Sequence, residues 1–200
     1  RLMFNDPSLN LRADYSLFDR ATGRPLCVGN GETCRRTTQE GIASLPCSGP
    51  TSCPYAAGDC KAYARLNVLV GDADEDALGS FVLRTTSFNT IRTLAARMQY
   101  YSAVSGGLLA CMPLELKLRG KSTTMSHRAP IYYVDLVVRS GMTLEQAIAD
   151  ARELDARRRA AGVDQGALDE AARRGFANGA FEELEEDVPA LVEEFYPDAE

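Results

Sequence analysis

Residues 27–60 read CVGNGETCRRTTQEGIASLPCSGPTSCPYAAGDC and hold five cysteines: Cys27, Cys34, Cys47, Cys53 and Cys60. Large apolar side chains are few there: Val28, Ile42, Leu45 and Tyr55. Such a stretch cannot offset its ordering entropy by burial alone. Something must staple it, and the alternatives are a metal ion, disulfides or packing of the thiols. Zinc suits the pattern best. Five cysteines leave a disulfide framework with an unpaired thiol, whereas four thiolates and a spare suit a tetrahedral structural site. Cys47 and Cys53 lie in Pro46-Cys47-Ser48-Gly49-Pro50 and Cys53-Pro54, which have the turn chemistry of ligand knuckles, and Cys60 completes the trio. Cys27, followed by Val28-Gly29-Asn30-Gly31, is the expected fourth ligand, with Cys34 able to exchange roles with it.

The sixth cysteine, Cys111, sits among Leu108, Leu109 and Met112, the setting of a buried free thiol. With neither a signal peptide nor a transmembrane run in view, we expect a reducing cytoplasm and no membrane partner. The chain opens on Arg1, from which we expect a piece of a longer protein.

Outward from the cysteines the sequence becomes regular. A strand is expected around 13–18, then a turn at Ala21 to Pro25. Ala64, Leu66, Val68 and Val70 alternate with Tyr63, Arg65, Asn67 and Leu69 as a strand does, and Ser80 to Arg84 reads as its hairpin partner across an acidic turn at 71–77. Ser87 caps a helix with Ile91, Leu94, Ala95, Met98 and Tyr101 on one face, ended by Ser105-Gly106-Gly107. Leu114 to Arg119 and Ile131 to Val138 are expected to pair antiparallel across a polar loop, Gly120 to Pro130. Thr143-Leu144-Glu145-Gln146 is a capping box opening a helix with a narrow stripe of Leu144, Ala147, Ile148, Ala151 and Leu154. Asp164 caps another helix that runs to Gly175.

The expected fold class is α+β: an antiparallel sheet with one packed helix, a cysteine-rich zinc module near the N-terminus and a helical acidic C-terminal tail. Three segments follow: 1–62, an N-terminal strand with the zinc module; 63–140, the α+β core; and 141–200, a helical segment with the tail.

The net charge of −6 hides an asymmetry. Residues 84–139 carry eight Lys and Arg against two acidic residues, while residues 182–200 carry nine acidic residues and no Lys or Arg. Arg119, Lys121, His127 and Arg128, with Ser122, Thr123, Thr124 and Ser126, form a basic loop able to grip phosphate oxygens or to stand solvated. Arg84 and Arg92 flank a hydroxyl-rich helix start that could bind an anion or simply cap the helix. The tail reads as a solvated extension or as an acidic-aromatic docking peptide.

Catalytic sets are scarce. Gly120-Lys121-Ser122-Thr123 is no phosphate loop, because Glu115 stands where the motif requires glycine. His127 is the single histidine, so a triad or histidine-rich metal centre is hard to build. A metal-dependent hydrolase would have only Asp59, Glu32 and His127 to draw on.

Cys60-Lys61-Ala62-Tyr63-Ala64-Arg65-Leu66-Asn67-Val68, followed by Leu78-Gly79-Ser80-Phe81-Val82-Leu83-Arg84-Thr85-Thr86-Ser87-Phe88, resembles the phage recombination directionality factors that partner large serine integrases. The likeness extends from about Cys27 to Arg139. The Leu114 to Arg139 hairpin and the acidic tail are closer to relatives on integrative mobile elements. The resemblance implies a non-catalytic accessory that binds a recombinase, or integrase, and biases which sites recombine, with zinc structural. A second expectation is a single-stranded-DNA-binding or annealing protein, or one that meets duplex DNA. It would use Arg84, Arg92, Arg119, Lys121, His127 and Arg128 with Phe88, Tyr100, Tyr101, Tyr132 and Tyr133.

Overall fold

The computed structural model describes residues 1–70, 81–122, 124, 129–176 and 188–196. The protein is α+β. Strands β1 (Leu11–Phe18), β2 (Pro25–Gly29), β3 (Thr33–Thr38), β4 (Gly41–Pro46), β5 (Lys61–Val68) and β6 (Phe81–Thr85) form one sheet in the order β4-β3-β2-β1-β5-β6. The pairs β1–β2, β2–β3 and β3–β4 are antiparallel. A separate two-stranded antiparallel sheet joins β7 (Leu114–Ser122) to β8 (Pro130–Val138). The helices are α1 (Pro7–Asn10), α2 (Phe88–Ser105), α3 (Leu144–Ala160), α4 (Gln165–Phe176) and α5 (Val188–Phe195). Among the described residues no helix is long and apolar enough to cross a membrane.

Two compact units divide the chain. One holds 1–12, 65–83 and 87–173, and the other 13–64, 84–86 and 174–200, each in its described parts.

The first unit is a conventional apolar core. Ser87 caps α2 through the Thr90 amide, and Gly106, at φ 71°, closes it in a left-handed turn that a side chain would strain. Leu94 and Met98 of α2, Leu109 and Met112, Leu136 of β8, and Ala147 and Ala151 of α3 pack together almost without exposure. Alanines on α3 let that helix approach closely. Its capping box is complete, with Thr143 and Gln146 exchanging hydrogen bonds. Cys111 is a buried member of this core. Ala95, expected on the inner face of α2, is exposed. The inner stripe instead takes Ser105, whose hydroxyl is satisfied locally, and Thr90, whose hydroxyl oxygen accepts the Val134 amide of β8.

In the second unit the cysteine stretch is built largely of strands, which the sequence reading did not place there. β2, β3 and β4 form a meander through the cysteine stretch, turned at Asn30–Glu32, where the Asn30 side chain accepts from the amides of Glu32 and Thr33. The threonines and arginines of β3 concealed a strand with one polar face. A further difference is at the C-terminus. Leu191, Phe195 and Tyr196 are buried against Phe18 and Tyr63, so this part of the tail is anchored by its apolar residues while Glu193 is exposed. Phe195 meets Phe18 edge to face at 4.6 Å, and the Tyr196 hydroxyl donates to the Phe18 carbonyl at 2.8 Å. Lys61 donates to the Phe195 carbonyl. The rest of the acidic tail and the acidic turn at 71–77 lie outside the described residues.

Candidate metal centre and basic surface

Strand register assembles the cysteines. Cys27 on β2 lies opposite Leu17 on β1 and Arg36 on β3, and Gly29 lies opposite Cys34. Directly opposed residues share a face, as do alternate residues along a strand. Cys27, Cys34, Arg36, Gly29 and Leu45 therefore lie on one side of the meander. Cys47 follows β4 immediately, held by its amide donating to the Glu32 carbonyl at 2.9 Å. Cys53 lies in the following turn, and Cys60 directly precedes β5. All five sulfur-bearing side chains join one buried cluster with Leu17, Leu26, Leu45 and Ala56. No disulfide links them.

Gly29 makes this approach possible. A Cβ there would meet the Cys34 Cβ at 2.7 Å and the Cys47 Sγ at 2.9 Å, both closer than side-chain atoms tolerate. Arg36 is the counter-charge. Its Nη2 stands 3.9 Å from the Sγ atoms of Cys34 and of Cys53, and its guanidinium stacks on Tyr55 at 4.0 Å. Hydrogen bonding to Cys27 is the main influence raising its pKa. Burial, then hydrogen bonding to and the charge of Cys27, push the Cys34 thiol up to about 11. Burial, then the neighbouring sulfurs, do the same for Cys60, up to about 11. Without a cation Cys34 and Cys60 hold their protons, first because burial disfavours a thiolate and then because neighbouring sulfurs do.

Among the described residues, no three His, Cys, Asp or Glu side chains already stand in a metal-holding arrangement. The sulfurs are collected without being closed into a coordination shell. The donor set has the chemistry that zinc takes: five soft thiols, one more than a tetrahedral site needs, with an arginine beside them. Of the candidate hydrolytic groups, Asp59 is engaged in an exposed ion pair with Arg20 at 3.2 Å, and Glu32 is exposed on the β2–β3 turn.

Several of the basic residues are engaged within the chain. Arg119 of β7 and Arg97 of α2 share Asp135 of β8, at 3.3 and 3.0 Å. Asp135 is buried, which alone would raise its pKa, but hydrogen bonds and charge, first from Arg97, hold it below the ordinary carboxylate range. Lys121 donates to Asn89 Oδ1 at 2.8 Å and stands over the Tyr133 ring. The polar helix start is also occupied: Ser87 caps, Asn89 receives Lys121, and Thr90 Oγ1 accepts the Val134 amide at 3.1 Å. Arg92 is exposed one turn further along α2, and Arg84 is half-buried on β6. His127 and Arg128 lie outside the described residues. Of the five aromatics, Tyr101 is buried, Tyr133 lies beside Lys121, and Phe88, Tyr100 and Tyr132 are exposed.

Sequence reasoning missed Arg36, Gly29 and the Arg97–Asp135–Arg119 bridge. For Arg36 and Gly29 a signal existed: a β2–β3 hairpin register drawn through Asn30-Gly31 sets both beside cysteines.

A family model described as Gp3-like: Recombination directionality factor-like matches residues 1–139. That span contains the cysteine cluster and both sheets and stops before α3. No curated protein and no solved structure matches the chain.

Proposed function

Because the chain belongs to the recombination directionality factor-like family, we propose that it is a non-catalytic accessory protein of phage or mobile-element recombination. It binds a recombinase, a large serine integrase, and biases which pair of sites that enzyme joins. The observation that carries this reading is the family match over 1–139. The absence of a convincing catalytic set in the sequence agrees with it, since an accessory needs surfaces and no reactive centre.

Zinc has a structural part in this proposal. It would be held by four thiolates from Cys27, Cys34, Cys47, Cys53 and Cys60, with Arg36 beside the sulfurs to offset their charge. The metal would supply cross-linking to a meander with little apolar burial of its own.

The test is a recombination assay with a purified integrase. Adding the protein should switch on joining of the product sites and suppress joining of the original pair. An unchanged preference with a series of such integrases would remove the accessory reading.

A second reading, direct binding of single-stranded DNA, draws on the exposed rings of Phe88, Tyr100 and Tyr132. It requires affinity that falls steeply with salt and with Arg92→Glu. The internal engagement of Arg119, Lys121 and Arg97 places it second.

A further inference from the structure

β7 has β8 as its single strand neighbour among the described residues. The far side of β8 is occupied: the Val134 amide donates to Thr90 Oγ1 of α2, and the Leu136 amide to Asp135 Oδ1 at 2.9 Å. Those two amides therefore point away from β7. In an antiparallel ladder, residues opposite such outward-facing groups face outward on their own strand as well. Opposite Val134 and Leu136 stand Leu118 and Leu116, and Gly120, opposite Tyr132, continues the alternation. The open edge of β7 thus presents the N–H and C=O groups of Leu116, Leu118 and Gly120.

Side chains along this edge are also uncovered. Leu118 is 68% exposed and Leu116 40%, with Tyr132 at 61% on the same face. The opposite face carries Lys117, Arg119 and Lys121. Two carboxylates share that face: Asp135, divided between Arg119 and Arg97, and Glu115, which accepts from Ser140; with Lys117, Arg119 and Lys121 the face keeps a positive balance. At its root the edge opens on a cavity of about 390 Å³ bordered by Leu2, Val68, Leu114, Leu116, Arg1 and Arg139. An exposed edge with apolar side chains, here over residues 116–120 of β7, is a template for another strand.

We propose that β7 is a docking strand, and that its occupant is an extended segment of the protein partner alternating apolar and acidic residues. The segment adds as a third strand, laying its apolar residues beside Leu116 and Leu118 and its carboxylates beside Lys117, Arg119 and Lys121. This rests on the reading that the protein acts through a recombinase. A second copy of β7 is a poor occupant. An antiparallel pair centred on Leu118 sets Lys117 against Arg119 twice, and like charges directly opposed destabilise a ladder.

A proline at position 118 separates docking from folding. The Leu118 N–H points away from β8, so Leu118→Pro removes an edge donor while sparing the β7–β8 ladder. The probe is a capped nine-residue peptide alternating valine and glutamate, compared with its valine–lysine counterpart, on the full chain. The glutamate peptide should slow amide exchange at Leu116, Leu118 and Gly120 by about tenfold or more, and the lysine peptide should not. Leu118→Pro should abolish binding, with exchange in α2 unchanged as the folding control. Lys117→Glu combined with Lys121→Glu should reverse the preference in favour of the lysine peptide. No slowing at the three amides, equal binding by Leu118→Pro, or an L118P-sensitive homodimer would overturn the proposal. If Leu118→Pro still binds an integrase as the parent does, the edge assignment fails and the partner reading stands. If the peptide docks but no integrase binds the parent, the partner reading fails and the edge assignment stands.

Discussion

The core around Leu94 and the cluster around Cys34 are both buried, but they are made of different material. Around Leu94 the side chains are Met98, Leu109, Met112, Leu136, Ala147 and Ala151, each essentially without exposure. Burial of that kind stabilises by about 25 cal/mol per Å² and needs no added component. Around Cys34 the buried residues are Leu17, Cys27 and Ala56, with half-buried Leu26, Leu45 and three cysteines completing the group. The strands there present mostly threonine, arginine and serine to solvent. The difference teaches that two parts of one chain can be ordered by separate means. One depends on apolar area; the other, under the zinc proposal, would depend on what its sulfurs bind.

The comparison is broken or sharpened most strongly by removing a sulfur. Cys34→Ser should abolish metal retention and melt the β2–β4 meander, while amides of α2 and β8 keep their protection. Equal protection in both regions, measured by amide exchange, would mean that the thiols merely pack. Next comes the reverse experiment. Leu94→Ala should cost about 2–5 kcal/mol in the apolar core and leave metal content unchanged, read by denaturant unfolding and metal analysis.

Gly29→Ala should follow, at about 1–3 kcal/mol, because its methyl would collide with Cys34 and Cys47. Its effect should appear as weaker metal retention as well as lower stability, and a purely structural glycine would show only the second. Asp135→Asn should cost about 1–2 kcal/mol, since Arg97 and Arg119 are nearly half exposed and can rehydrate. The pH dependence has a definite sign. The Asp135 pKa is depressed in the folded state, so its contribution is present above the ordinary carboxylate pKa and is lost as pH falls through the depressed value. Acid titration of the parent should therefore lose stability that the Asp135→Asn variant does not lose.

How legible each region was follows from the same difference. Helix α2, its Ser87 cap, the α3 capping box and the β7–β8 pair could be read from periodicity, because apolar burial writes its period into the sequence. The β2–β4 meander was hidden, because Cys27, Gly29, Cys34 and Arg36 stand beside Leu45 on one face, and threonine, arginine and serine outnumber Val28 and Ile42 on the other. Phe195 and Tyr196 were hidden for another reason. Their partners, Phe18 and Tyr63, are remote in sequence, and an acidic context resembles a solvated tail. The cysteines announced themselves, whereas Arg36 drew attention only once β3 was seen to face β2. Arg119 and Lys121 stood out as basic residues, but nothing local revealed that Asp135 and Asn89 engage them.

The most direct test is region-resolved amide exchange on the purified protein before and after chelation, with zinc counted beforehand. The account predicts about one zinc per chain, and a chelator that exposes the amides of β2, β3 and β4 while α2 and β8 stay protected. A metal-free protein whose meander is as protected as its apolar core would contradict it.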